Sequence, residues 1–328
     1  MNTPLDDKST TCRVDNNSHR RNGHQDWYNG AKEVLTNEGP AVGLAEQRLT
    51  WKARGEEVKE SDYVLGHSQR EIRRLRTQAA ILRPITERLL RNVKIGPGVR
   101  VLDLGCGAGD VSMLAAEFVG PTGSVVGIDR SPEVLSVARK RAQAAGLRQI
   151  SFEKASVETF SSHEPFDLVI GRYILIHQPD PVEFLRAAAR LVRPGGCLAF
   201  HEIRLRQRFD SLPPVPLWHE TGNFILTACH SALPHHDVTD RLIESFSEAG
   251  LPQPDLFCEI LVGGGIDSPL YSWAAETLES FLPQLAKMGI AFGEPGGMQT
   301  RESRLRAAVT EARSQITAPG QVCAWARI

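Results

Sequence analysis

The chain has 328 residues, of which 41% are hydrophobic and 23% charged, so it reads as two domains or one large α/β domain with insertions. Its 38 Lys and Arg against 39 Asp and Glu give a net charge of -1, which argues against a general nucleic-acid binder while leaving room for a local basic patch. No apolar run is long enough to span a membrane, the polar start lacks a signal-peptide core, and six scattered cysteines with no CxxC pair leave reduced thiols in a cytoplasmic protein as the expectation.

Residues 1–26 are polar and nearly free of apolar side chains and read as a disordered tail. From Trp27 to Lys59, scattered apolar residues suggest an arm that packs on something. The helical arm and lead-in as a whole cover 27–94. Ile72, Leu75, Ala79 and Leu82 share one helix face, and Pro84 predicts the first turn of a second helix carrying Ile85, Leu89 and Val93. Between Gln69 and Lys94 stand eight basic and two acidic residues. A solvated helix face is the plain reading; a surface for an acidic partner is the alternative.

From residue 95 the pattern alternates strand and helix. Strands are predicted at 100–105, 124–129, 150–155, 166–171 and 197–203, with helices at 111–119, 131–145 and 181–191 between them. Such alternation means a parallel sheet covered on both faces. Residues 204–236 break the rhythm with four prolines and read as a loop-rich insertion with a short helix from Trp218 to Cys229. A helix at 238–249 and a strand at 255–262 follow. A second insertion, 263–321, carries helices at 270–288 and 302–316, and the alternating VCAWARI reads as a last strand.

The segment VLDLGCGAGD (101–110) stands between a predicted strand and helix, where a parallel sheet binds nucleotides. Gly105, Gly107 and Gly109 permit a tight turn and close approach of a ligand. Asp129 ends the next strand 20 residues after Gly109, placed to accept ribose hydroxyls. A dinucleotide wants G-x-G-x-x-G, but this loop continues into Asp110, whose carboxylate would repel pyrophosphate. S-adenosylmethionine carries a sulfonium and an ammonium in place of phosphate, and an acidic loop suits it.

VLDLGCGAGD, VVGIDRSPEVLSVAR, FDLVIGRYILIHQPDP and LVRPGGCLAFHE together resemble the class I S-adenosylmethionine-dependent methyltransferases, from about Tyr63 to Glu202. The lead-in from Tyr63 is similar to that of small-molecule members. The resemblance implies an α/β fold with a seven-stranded Rossmann-like sheet in the order 3-2-1-4-5-7-6, its last strand antiparallel. It implies that Gly105, Cys106, Gly107 and Gly109 lie under the methionine part and that Asp103 anchors the loop and the amino group. It further implies that Asp129 binds the ribose and Arg130 covers the adenine, with Ser156 and Val157 at the adenine edge. Arg172 closes the methionine side, and Tyr63 joins the cofactor set. Many relatives have an acidic residue where Ser156 stands.

His177, His201 and Glu202 are the candidates for a general base or substrate contact, since His177 follows the fourth strand and the other two end the fifth. Adjacent strand residues point to opposite faces, so one of His201 and Glu202 should face the pocket, Glu202 being preferred. Cys106 reads as a packing residue. Trp218, Phe224, Tyr271 and Trp273 divide between ordinary core and substrate-pocket lining. His219, His230, His235 and His236 match no standard metal spacing, and no metal is expected.

Four functions compete. The first is a methyltransferase acting on a small molecule, such as a secondary metabolite, at O, N or C. The second is a nucleic-acid or protein methyltransferase, disfavoured because Gly171-Arg172-Tyr173-Ile174 is unlike the Asn-Pro-Pro-Tyr-type turn of amino-methylating enzymes. The third is a nicotinamide-dependent oxidoreductase. The fourth is a module that keeps the fold and binds the cofactor without methylating. Neither nucleic acid nor membrane is expected as a partner. The two insertions and the arm are expected to roof the substrate pocket or meet a second subunit as a homodimer.

Overall fold

The computed structural model describes residues 69–293 and 297–328; the polar tail, the arm and Tyr63 lie outside them. In chain order the elements are α1 (Gln69–Asn92), β1 (Arg100–Leu104), α2 (Asp110–Val119), β2 (Ser124–Asp129), α3 (Pro132–Ala144), β3 (Ile150–Lys154), β4 (Phe166–Arg172), α4 (Pro181–Ala189) and β5 (Val192–Ile203). They continue with β6 (Asp210–Leu212), α5 (Pro216–Ala232), α6 (Leu242–Glu248), β7 (Asp255–Glu259), β8 (Val262–Gly263), α7 (Leu270–Lys287), α8 (Met298–Glu311), β9 (Gln315–Thr317) and β10 (Gln321–Arg327).

Seven strands form one sheet in the order β3-β2-β1-β4-β5-β10-β7. Only β10 runs antiparallel to its neighbours. Counting the strands of this sheet alone, that is the expected 3-2-1-4-5-7-6. The caps follow the sequence closely: Ser131 Oγ accepts the Val134 N–H at 3.3 Å ahead of Pro132, and Asp180 accepts from Val182 and Glu183 ahead of Pro181.

One face of the sheet packs Val101, Leu168, Ile170, Ala199 and Cys323 against α1 and α2. The other packs Leu102, Leu104, Val169, Leu198 and Phe200 against α4 and α6. The expected pair of helices around Pro84 is in fact one helix with Pro84 inside it. An interior proline costs about 3 kcal/mol. Burial of Ile85, Leu89 and Leu90 against the sheet, about 1.5–3 kcal/mol for each fully buried side chain, outweighs it. The basic face of α1 is largely solvated, as expected, and part of its charge is also paired within the chain. Arg83 pairs with Glu87 at 2.8 Å and reaches Glu117 of α2, while Arg88 pairs with Glu259 of β7 at 2.8 Å and lies over the Phe257 ring.

The two insertions build one cap. β6 from the first pairs with β9 of the second, and β8 pairs with the other edge of β9, giving a three-stranded sheet. α5, α7 and α8 pack together beside it. Arg301 of α8, 3% exposed, is tied to α5 through Glu220 at 2.7 Å and the Thr221 hydroxyl at 3.0 Å. Two expected elements change here: the strand at 255–262 breaks after Glu259, and the expected helix end at Ile316 is strand β9. In both places the chain leaves its local pattern to pair with a distant segment. The register Gln321↔Ile203 and Gln321↔Glu259 sets the departure and return of the second insertion at the carboxyl edge of the sheet.

Candidate active site

After β1 the chain turns through Gly105 (φ +61°), Gly107 (φ +53°) and Gly109 (φ +82°), a left-handed backbone that only glycine adopts freely. A Cβ at Gly105 would lie 2.6 Å from Ile174 Cδ1, and one at Gly109 would lie 3.0 Å from Phe152 Cζ. At Gly107 a Cβ would meet nothing within 4 Å. A side chain at Gly105 or Gly109 would thus strike a neighbour, although Gly105 itself is exposed, while the space beside Gly107 is open.

Asp129, at the end of β2, ties down that open face. Its Oδ2 accepts the Gly107 N–H at 2.9 Å and its Oδ1 the Ser131 N–H at 2.9 Å. A carboxylate offers about four lone-pair directions, so two remain for a ligand's hydroxyls. Asp103 is 1% exposed and accepts the Ser112 hydroxyl at 2.6 Å. Burial pushes its pKa up to about 7, against the pull of that hydrogen bond and of the Arg172 charge. Cys106 is buried, its thiol raised well above the usual range by the same desolvation, which disfavours a thiolate nucleophile.

The expectation that Asp110 makes the loop acidic is corrected: its carboxylate pairs with Arg141 at 2.7 Å, and Arg141 also donates to the Ala108 carbonyl at 2.6 Å. The Asp110 charge is thus partnered, and the carboxylate bordering the open face is Asp129. At the expected adenine edge Arg130 approaches Glu158 at 3.5 Å. Burial raises the Glu158 pKa, but hydrogen bonds from Ser156 and its own backbone, with Arg130, bring it below the usual value. The Ser156 hydroxyl is engaged with Thr159 at 3.1 Å, and Val157 is buried.

His201 and Glu202 point to opposite faces of β5, as strand geometry requires. His201 lies in register with Arg172 and Cys323 on the α1 face. Its Nδ1 is 3.0 Å from the Thr86 hydroxyl, which also lies 3.4 Å from Arg172 Nη1. Full burial, then the Arg172 charge, pushes its pKa down to about 3. Glu202 is equally buried on the other face, where its Oε1 accepts the N–H groups of Ile174 and Leu175, both at 2.9 Å. Burial raises its pKa to about 7 against those two bonds. His177 is half-buried, its pKa lowered to about 4 by burial and then by Arg74.

Sequence reasoning missed Thr86, Tyr173, Ile174 and Gln321. Tyr173 takes a left-handed φ of +56°, uncommon for an aromatic residue, donates its hydroxyl to Gln321 Oε1 at 2.6 Å and meets the His201 ring edge-on at 6.0 Å. Its only sequence signal was its position directly after β4.

Trp218 and Tyr271 are fully buried and Trp273 is 3% exposed. Trp218 donates to the Thr317 carbonyl at 3.1 Å, Tyr271 to that of Gly265 at 3.1 Å, and Phe209 packs between the two tryptophans, 5.4 and 6.0 Å away. These three side chains form the interior of the cap. Phe224, half-buried, meets Phe292 at 5.0 Å. His219, His230 and His235 hydrogen-bond Ser211, the Leu205 carbonyl and the Pro179 carbonyl. Among the described residues no helix is long and apolar enough to cross a membrane.

A family model described as a methyltransferase domain matches residues 95–248. Residues 95–248 are a class I S-adenosylmethionine-dependent methyltransferase domain. The chain is 42% identical over 134 residues to aklanonic acid methyltransferase DauC of Streptomyces sp. strain C5, covering 40% of this chain and 60% of that protein. It is 41% identical over 108 residues to a ubiquinone biosynthesis O-methyltransferase of Paracidovorax citrulli, covering 32% of this chain and 44% of that protein. The chain thus spans between about two fifths and three fifths of these two relatives. A SAM-dependent methyltransferase from Aquifex aeolicus superposes with a TM-score of 0.40 at 21% identity, covering 53% of this chain and 81% of that one; a likeness of that degree says nothing of function. The open Gly107 face, the free lone pairs of Asp129 and Asp110 standing where a dinucleotide loop has its last glycine fit the cofactor of this family.

Proposed function

We propose that this protein transfers a methyl group from S-adenosylmethionine to a small-molecule acceptor, of secondary-metabolite type, at O, N or C. The observation that carries the reading is the pairing of an open Gly107 face with Asp129 at its border. Bound cofactor supplies an electrophilic methyl group on a sulfonium, so the protein need only align the acceptor, exclude water and accept a proton where the acceptor keeps one.

In this reading the backbone of Gly105 to Gly109 cradles the methionine part, with Cys106 as a packing residue within it. Asp129 holds the ribose hydroxyls, Arg130 with Ser156 and Val157 borders the adenine, and Asp103 with Arg172 lines the methionine end. His177 is the proton acceptor or acceptor-binding group, because it alone of the three base candidates is not fully buried. Below its ordinary pKa range it is neutral at pH 7 and can accept. His201 and Glu202 serve by fixing the walls. The cap acts as a lid over the carboxyl edge. Trp218, Tyr271 and Trp273 set its shape, and Phe224 contributes to its acceptor-facing surface.

Mass spectrometry of small molecules released from purified protein, followed by a metabolite screen with methyl-labelled S-adenosylmethionine, tests this. The expected result is co-purified S-adenosylmethionine or its demethylated product, and label in a small acceptor. Label in protein or nucleic acid alone would overturn it.

A further inference from the structure

A concavity lies on the cap, with no residue of the glycine loop in its lining. It is an open cleft of about 690 Å³, within the range of small-molecule sites. One wall is a single face of α5: Asn223, Leu226, Thr227 and His230 stand at i, i+3, i+4 and i+7. The opposite wall is the segment leaving β5, with Leu205, Arg206 and Arg208. His236 and Asp237 complete the lining, and the His236 ring lies 4.6 Å from that of His230.

The charges are unevenly committed. Arg206 is loosely shared with Asp240 at 3.8 Å, and Asp240 is already held by Arg204 at 2.8 Å. Among the described residues Arg208 has no ion pair or hydrogen-bond partner. Two guanidinium groups thus meet one lining carboxylate, Asp237, beside the amide of Asn223 and hydroxyl of Thr227, neither of which has a side-chain hydrogen bond among the described residues. Leu205 and Leu226, both buried, back a cleft whose accessible lining is mainly polar. A guanidinium without a partner among the described residues, in a cleft with neutral polar groups beside it, suits a bidentate carboxylate.

We propose that this cleft binds a carboxylate-bearing small molecule, with Arg208 as its principal anchor. The site does not require methyl transfer. Its occupant is either the methyl acceptor itself or a separate ligand of the same chemistry.

Benzoate serves as the probe and benzamide as its uncharged counterpart, titrated by calorimetry into the full chain, with S-adenosylmethionine titrated separately. Saturable benzoate binding is expected, at least tenfold weaker for benzamide and at least tenfold weaker in Arg208→Ala, and unchanged in Lys140→Ala on the exposed face of α3. Arg208 is exposed, and an unaltered melting temperature shows that its variant is folded. Absence of saturation, equal binding of benzamide, or unchanged benzoate binding in Arg208→Ala would overturn the proposal. Failure of wild-type protein to bind S-adenosylmethionine would sink the methyltransferase reading and leave the benzoate result standing. Once an acceptor is known, a raised KM with kcat retained in Arg208→Ala identifies it as the occupant; an unchanged KM beside lost benzoate binding identifies a separate ligand.

Discussion

Glu202 holds Ile174 over the glycine loop. Its Oε1 accepts the Ile174 N–H at 2.9 Å, and the Ile174 side chain occupies the space that a Cβ on Gly105 would need, 2.6 Å from Cδ1. A carboxylate buried in β5 thereby fixes the height of the glycine loop. Glu202→Ala orphans two backbone N–H groups, each costing about 1–3 kcal/mol, and frees the turn after β4. The expected outcome is a cofactor affinity at least tenfold weaker, with Glu202→Gln close to wild type because an amide oxygen accepts the same two bonds. Calorimetry on both variants checks it; equal loss in the two would mean that charge, not acceptance, matters.

The same residue sets a pH dependence of stability. The Glu202 pKa rises from 4.5 to about 7 on folding, so its contribution is fully present below 4.5 and is lost as pH rises through 7. The shift corresponds to roughly 3 kcal/mol as an upper bound. Asp103 acts in the same direction, from 3.8 to about 7, and is common to wild type and variant. The melting temperature of Glu202→Gln should therefore gain on that of wild type between pH 5 and pH 8. Parallel pH profiles would show that the Glu202 charge is not desolvated.

Asp129→Ala removes the acceptor of the Gly107 and Ser131 N–H groups as well as the proposed ribose contact. Hydrogen bonds to a charged group are worth about 1.5–3 kcal/mol each, so at least a tenfold loss of S-adenosylmethionine affinity is expected with the fold intact. Unchanged affinity, measured with circular dichroism of the folded variant, would show that the ribose is held elsewhere.

Much of the nucleotide half of the molecule was legible in the sequence because its signals are local. Gly105 to Gly109 follow an apolar strand, Asp129 ends the next one, and Ser131-Pro132 and Asp180-Pro181 announce their helices. The cap was not legible in the same way. β6, β8 and β9 are two or three residues long and exist only because distant segments pair, as Leu212 does with Gln315. Pro84 read as a helix start because propensity is local, whereas the burial that carries the helix through it is not. Tyr173 and Gln321 stand 148 residues apart, and nothing in either neighbourhood announces the other.

Trp273 shows how burial changes a prediction. Read from sequence, Trp273→Ala should lower turnover or acceptor affinity more than cofactor affinity. With the ring enclosed in the cap and stacked on Phe209, truncation also leaves a cavity worth about 3–5 kcal/mol. A melting temperature lowered by several degrees is expected for Trp273→Ala and a smaller drop for Trp273→Phe, with cofactor affinity kept in the latter. A Trp273→Ala variant as stable as wild type would contradict the enclosed cap.

The central claim is that the Gly107 face and Asp129 form a site for S-adenosylmethionine. Calorimetric titration of the wild-type chain with S-adenosylmethionine, its demethylated product and NADH tests it most directly. Micromolar binding of the first two and none of NADH is predicted; NADH binding without binding of either sulfur compound would contradict it.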